Sequence, residues 1–509
     1  MAGELTNPST DRFPDPAIYS QIAHKIPWRQ QDIVDKAAQI GQILMRVKYG
    51  MMRKSLINCR NARIWGSNKI EKSELKVGIS VRNLGITIVA VALLGVAPVD
   101  VRAEGLKDSL TVLLKSHKRI LAATADSNKS KEDAEAAWKD WHPNFSATAN
   151  YGYERQNKPT GSDDTFLVPR NLEFSITQKI WDFGATNAAV RGAKLSAEKS
   201  GLALTSTEQA VMLEGVQAHF NIIRAQKLLE FAESSAANIK RQAELEDARV
   251  QRGSGLSTDV LQAKTQLAGA EARVVGLKGS LKKSLHRYQA VFGYVPEKPG
   301  DLTEPRLPLD LLPTSITETV EQAQKGNPGL ASAQIDSFIS RETTRSTRAS
   351  EFFPNIEASA STKYKDDDGG TIDTKQERLV KVEATYDFSL GLTAINTLRS
   401  AKQDYISKVN TYADTRDQVA EQAQNAWDDL DTFRAQAELK HNQANIAAEF
   451  LELARRERQL GNRSLIDVLA GETALINASS DAASADTDVA IAVFSLLAVL
   501  GKLELNIFD

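Results

Sequence analysis

One turn occurs twice in this chain. The first copy reads Gln251-Arg252-Gly253-Ser254-Gly255-Leu256-Ser257-Thr258-Asp259-Val260-Leu261 and the second Gln459-Leu460-Gly461-Asn462-Arg463-Ser464-Leu465-Ile466-Asp467-Val468-Leu469. Position 253 answers to 461 and 259 to 467, an offset of 208. The same offset joins Arg191 to Arg399, Ala193 to Ala401, Lys194 to Lys402, Thr265 to Thr473, Leu267 to Leu475 and Gly293 to Gly501. One offset held over so long a stretch marks a duplicated unit with no net insertion.

The duplicated unit is helical. Residues 186–251 and 393–459 contain no proline and are dominated by Ala, Leu, Glu, Gln, Lys and Arg, the residues that favour helix. A helix of roughly 65 residues is about 100 Å long at 1.5 Å per residue, too long for a globular core, so a coiled coil, a solenoid or a tunnel wall is indicated. At the turns, Gly253 and Gly255 suit a helix end, Ser257 or Thr258 the start of the next helix, and Asp259 its first turn. Each half is therefore expected to be a very long antiparallel helical hairpin.

A net charge of −2 over 509 residues gives no basic footprint for nucleic acid. Aromatics at 6 % are few, which suits small-residue helix seams. Ahead of the repeats, residues 81–103 hold a basic flank, a short apolar run over 84–98 and small residues before a cut after Ala103, the layout of a secretory signal peptide. A retained anchor is the other reading, although the run is short for a bilayer. Residues 1–80 form an extension outside the expected mature chain. Met51-Met52 offers an alternative start within it, while a genuine cytoplasmic extension remains open. Cys59, the only cysteine, lies there too, so the exported part has no disulfide and no thiolate or lipid-acceptor site.

After a helical stretch from Glu104 to about Trp138, the period changes from 3.6 to 2. Phe145, Ala147, Ala149, Tyr151 and Tyr153 alternate with Ser146, Thr148, Asn150 and Gly152, a strand with one apolar face. A polar loop over 157–169 leads to a second alternating run at Leu172, Phe174 and Ile176, completing a hairpin. The second half repeats this from Phe353-Pro354-Asn355, and its return strand alternates Val380, Val382, Ala384, Tyr386, Phe388 and Leu390 with Lys381, Glu383, Thr385, Asp387 and Ser389. Strands apolar on one face and charged on the other are the pattern of a membrane barrel. A soluble sheet over a core is the alternative, but no flanking helix is apolar enough to cover it. Four strands cannot close, so several copies must pool theirs. The parts are then 104–293 as the first repeat, 294–313 as a proline-rich linker, and 314–509 as the second repeat, with a helix pair broken at Gly326-Asn327-Pro328.

Taken together, Pro143 and Pro354 opening alternating strands, Trp181-Asp182-Phe183-Gly184 leading into a long helix, the Gly326-Asn327-Pro328 break followed by Leu330, and the doubled turn ending Asp-Val-Leu resemble the outer-membrane efflux family of TolC-like channel-tunnels. The resemblance spans roughly Glu104 to Asp509. It implies a mainly α fold with a membrane β-barrel: a homotrimer giving four strands per subunit to a 12-stranded barrel in outer-membrane lipid, above a coiled-coil tunnel across the periplasm. It also implies an inner-membrane transporter and a periplasmic adaptor as partners, opening a tip closed by the helix turns.

Carried over by position, Thr258 and Asp259 match the family's gate partners, Arg463 the basic residue that pairs with them across subunits, and Asp467 an acidic ring at the mouth. Two positions depart. Ala470 replaces a second acidic ring residue, and Arg458 replaces an aromatic gate residue, which turns a hydroxyl bond to Asp259 into a charge pair. Gly253, Gly255, Leu256, Gly461 and Leu465 are the expected adaptor contacts. The plain alternative for Asp259 and Asp467 is a first-turn residue favouring the helix dipole by about 0.3–1 kcal/mol, and for Arg463 a solvated side chain.

No phosphate loop, His-Glu-x-x-His pair or nucleophile elbow occurs. His117, His142, His219, His286 and His441 lack ligand spacing and read as surface or packing residues, and Asp366-Asp367-Asp368 reads as a solvated loop tip. Neither an enzyme nor a cofactor is expected. The function expected is passive conduction for efflux or type I secretion. The alternative of another class is a membrane-anchored coiled-coil scaffold, for which alternating strands would have no use.

Overall fold

The computed structural model describes residues 105–508 except 162, 297 and 388. The extension, the signal peptide, Cys59 and the cut after Ala103 all lie outside the described residues, as does Phe388.

Each half contains a helix of 67 residues, α3 (Ala185–Gln251) in the first and α7 (Thr393–Gln459) in the second, and each turns back into a shorter one, α4 (Ser257–Phe292) and α8 (Leu465–Val499). At 1.5 Å per residue each long helix runs about 100 Å. Smaller helices flank them: α1 (Leu106–Ser116) and α2 (Lys118–Lys139) before the first strand, α5 (Ile316–Gly326) and α6 (Pro328–Phe352) between the halves. The helical stretch expected as one piece over 104–138 is thus two. At His117 the backbone turns extended (φ −69°, ψ 128°), and the His117 Nδ1 accepts from the Arg119 N–H at 3.3 Å, so the imidazole caps the next helix.

Four strands form one antiparallel sheet: β1 (Asn144–Tyr151), β4 (Arg170–Trp181), β5 (Asn355–Asp366) and β6 (Thr374–Thr385), in the order β1-β4-β5-β6. Two short strands, β2 (Glu154–Gln156) and β3 (Thr165–Leu167), extend the first hairpin. The alternation expected to run on to Leu390 outlasts its strand, for β6 ends at Thr385, opposite Asn355. Pro354 precedes Asn355 and has no N–H to continue the ladder. Beyond it the chain turns through Leu392 in the left-handed region (φ 52°) to start α7.

The main core lies where α1, α3, α4, α5, α7 and α8 meet. Leu110 and Leu113, Val211, Val216 and Ile222, Tyr288 and Phe292, Leu430, Val493, Phe494, Leu496, Leu497, Leu500 and Leu503 fill it, each large side chain stabilising by about 1.5–3 kcal/mol on burial. Residues 294–313 pack Leu302, Leu307 and Leu312 against this core. The Gly326-Asn327-Pro328 break docks on the end of α8. A Cβ on Gly326 would come within 2.4 Å of the Leu500 carbonyl oxygen, and the Asn327 amide donates to the Val499 carbonyl at 3.1 Å while its Oδ1 accepts from the Leu330 N–H. This contact ties the middle of the chain to its end.

Candidate functional site

Both hairpin turns end their long helix in the same way. Gly253 (φ 77°) and Gly461 (φ 81°) take the left-handed conformation that other residues resist. The Ser254 and Asn462 N–H groups then return to the carbonyls of Arg249 and Glu457, both at 2.9 Å, a Schellman closure. Gly255 serves a different need, since a Cβ there would stand 3.0 Å from the Val250 backbone nitrogen. The starts of the returning helices differ. Ser464 Oγ accepts from the Asp467 N–H at 3.2 Å, whereas the equivalent N-cap is Leu256, and neither Ser257 nor Thr258 caps α4.

The two tips pack together through Ile239 and Ala243 of α3, Ala263 of α4, and Leu465 and Leu469 of α8. Leu465 is only 1 % exposed, which corrects its expected place among the adaptor contacts: it is a core residue beneath the turn. Thr258, Leu256 and Gly461 are exposed.

Arg458 reaches across this junction. Its Nη2 donates to Glu246 Oε1 at 2.9 Å and lies 3.9 Å from Asp259 Oδ2, and its Nη1 donates to the Arg463 carbonyl at 3.2 Å. The structure thus brings Arg458 to Asp259 as a charge pair. Arg463, by contrast, stays on its own hairpin: it donates to Glu457 at 2.8 Å, lies 3.5 Å from Asp467, and sits over the Phe450 ring at 5.0 Å. Thr258 is brought to none of them. Sequence reasoning missed Glu246, a carboxylate only 3 % exposed that also accepts from Arg249 at 2.8 Å. Its signal was present, because it continues the buried helical stripe of Ile239 and Ala243, where a charge stands out.

Several ion pairs join the two helices of each hairpin, and the one nearest the turn is placed alike in both. Asp247 meets Lys264 at 3.4 Å in the first, where both are well exposed, and Arg455 meets Glu472 in the second, where the carboxylate is buried. These positions are equivalent under the offset of 208, with the signs exchanged.

At the sheet, the register lines up Phe145, Ile176, Ala360 and Val380 on one face. Val380 and Val382 are 82 % and 72 % exposed. Three residues along the strands, the row of Thr148, Glu173, Lys363 and Glu377 belongs to the other face and carries a Lys363–Glu173 ion pair at 2.9 Å. Exposed aromatics gather at both ends: Tyr151, Tyr153 and Phe166 near the short strands, and Trp181, Phe183 and Phe353 at the helical end, where the last two stack at 4.8 Å. Among the described residues no group of His, Cys, Asp and Glu could hold a metal ion.

The chain matches the family model described as outer membrane efflux protein twice, over residues 110–293 and 319–502, two stretches of equal length. Outer membrane protein TolC of Vibrio cholerae is 24 % identical over 434 residues, covering 82 % of this chain and 95 % of that protein. Outer membrane efflux protein BepC of Brucella suis is 24 % identical, covering 79 % and 86 %. Alkaline protease secretion protein AprF of Pseudomonas aeruginosa is 24 % identical over 325 residues, covering 62 % and 66 %. Among solved structures, the outer-membrane channel OprN superposes with a TM-score of 0.67 at 19 % identity, covering 78 % of this chain and 90 % of that one. VceC of Vibrio cholerae gives 0.67 at 18 %, covering 78 % and 96 %.

Proposed function

The chain belongs to the outer membrane efflux protein family and sits in the outer membrane with its helical tunnel in the periplasm, and from that premise we propose that three copies form one channel-tunnel conducting substrate passively outward. The observation that carries this reading is the sheet. Among the described residues β1 pairs only with β4 and β6 only with β5, so each copy has two open edges. Open edges are not tolerated in hydrocarbon, and the smallest closed barrels have about eight strands. Three copies of this four-stranded sheet close as twelve strands.

The dimensions agree. The 12 residues of β4 extend about 40 Å at 3.3 Å each, and a tilt of about 45° brings this near the ~25 Å apolar band of such barrels. The Val380 face then meets lipid, the Lys363–Glu173 face meets water, and the aromatic clusters at either end lie at the two interfaces. Energy comes from an inner-membrane transporter joined through a periplasmic adaptor, which docks at the exposed turns around Gly253, Gly255, Leu256 and Gly461. Thr258, Asp259, Arg458, Arg463 and Asp467 form the gate at the mouth. The names of BepC and AprF point to efflux and to protein secretion, and one tunnel serves either.

Single-channel conductance of the mature chain in planar bilayers, with cross-linked stoichiometry measured on the same sample, tests this. Trimers with small, mostly closed conductances that rise when Asp259→Ala is combined with Arg463→Ser are expected. Monomers or dimers without conductance would overturn it.

A further inference from the structure

We infer that Glu246 is a positioning residue of the gate, and that its clasp on Arg458 is the main polar tie between the two tips within a protomer. This rests on the reading above that the tips are the gate. Glu246 stands on α3 and Arg458 on α7, so the bond between them joins first hairpin to second. Asp259, the acidic residue that family position points to, is a full ångström farther from the same Nη2, at 3.9 Å against 2.9 Å. A charge-assisted hydrogen bond of ordinary length is much the stronger of the two contacts, more so because the Glu246 side chain is 3 % exposed and that of Asp259 24 %.

Arg463, the other cation among the proposed gate residues, does not share the work. Arg463 spends its guanidinium on Glu457, Asp467 and the Phe450 ring, all on the second hairpin. Separating the tips therefore takes Arg458 from Glu246 and leaves that carboxylate with Arg249, a neighbour on its own helix. Glu246 thereby fixes where the Arg458 guanidinium lies, and Arg458 in turn holds the Arg463 carbonyl at 3.2 Å and so the second turn.

The test is the open probability of purified trimers of the full mature chain in planar bilayers, with thermal melting as a check on assembly. Glu246→Gln is expected to raise open probability about tenfold, the factor for loss of one charge-assisted bond, and Asp259→Asn to raise it less. In an Arg458→Gln background Glu246→Gln should add nothing, whereas a merely structural role would add its own effect. Conductance that Arg458→Gln raises and Glu246→Gln leaves unchanged would overturn the clasp while sparing the gate. Conductance that no tip substitution alters would overturn both. Should Glu246→Gln fail to assemble, Arg458→Lys replaces it, because one ammonium cannot hold Glu246 and the Arg463 carbonyl together. An intermediate open probability is expected there, and a wild-type value would overturn the clasp.

Discussion

The two returning helices, α4 and α8, occupy equivalent places in the duplicated chain and lead opposite lives. α4 buries only Val260 and Ala263 near the tip and Tyr288, Val291 and Phe292 at its far end, and exposes most of the length between. α8 has buried residues at intervals along its whole length and packs against both long helices. The composition follows the environment. Phe494 of α8 is fully buried, and the residue at its equivalent position in α4 is the exposed His286. α8 is even apolar enough to cross a membrane by length and composition, yet half of that stretch is buried inside the protein. Duplication copies a backbone, and each copy is then rewritten by what surrounds it.

Substitutions at equivalent positions sharpen this contrast. Phe494→Ala removes a ring stacked on Phe508 and is expected to lower unfolding stability by about 3–5 kcal/mol, while His286→Ala stays within about 0.5 kcal/mol; chemical denaturation of the detergent-solubilised chain measures both. Equal effects would abolish the distinction. Next come the ion pairs. Arg455→Ala leaves the buried Glu472 without that cation and should cost about 3 kcal/mol, against less than about 1 kcal/mol for Asp247→Ala at the exposed pair.

The caps give smaller effects of opposite sign. Ser464→Ala should destabilise by about 1 kcal/mol, and Leu256→Ser, which supplies the missing hydroxyl at the equivalent N-cap, should stabilise by a similar amount; melting temperatures that move the same way would refute this. The smallest effect concerns His219, whose counterpart is Trp427. Its Nε2–H donates to the Thr303 carbonyl at 3.0 Å, and burial lowers its affinity for a proton below the ordinary value of 6.5. The unfolded chain then binds the proton first, so stability is complete above about 6.5 and declines as pH falls below it. Melting compared at pH 7.5 and pH 5 should show a smaller drop in His219→Gln than in the parent.

Much of this was legible because its signals are local. Gly253, Gly461 and the Gly326-Asn327-Pro328 break mark chain reversals by what those residues can and cannot adopt, and the period-2 runs mark strands by their faces. The break at His117 carries neither glycine nor proline. Beside it α1 packs Leu110 and Leu113 against Gly215 of α3, a tertiary contact that no local signal announces. The end of β6 depends on its partner strand, so its own alternation overran it. At the candidate site, turn geometry and the Arg458–Asp259 approach could be anticipated from position. Glu246 could not be paired with Arg458, because 212 residues separate them and no periodicity spans that gap. Leu465 misled because its burial comes from the other hairpin.

The exchanged signs at the two ion pairs have a consequence for how the chain finds its fold. A duplicated protein with two similar long helices and two similar short ones has an obvious wrong assembly, in which the short helices trade partners. That arrangement would set Asp247 against Glu472 and Arg455 against Lys264, like charges in both places, and one of these contacts would hold an uncompensated carboxylate in a dry site. The pairs act as an address written in charge, by which each short helix is returned to the hairpin it came from.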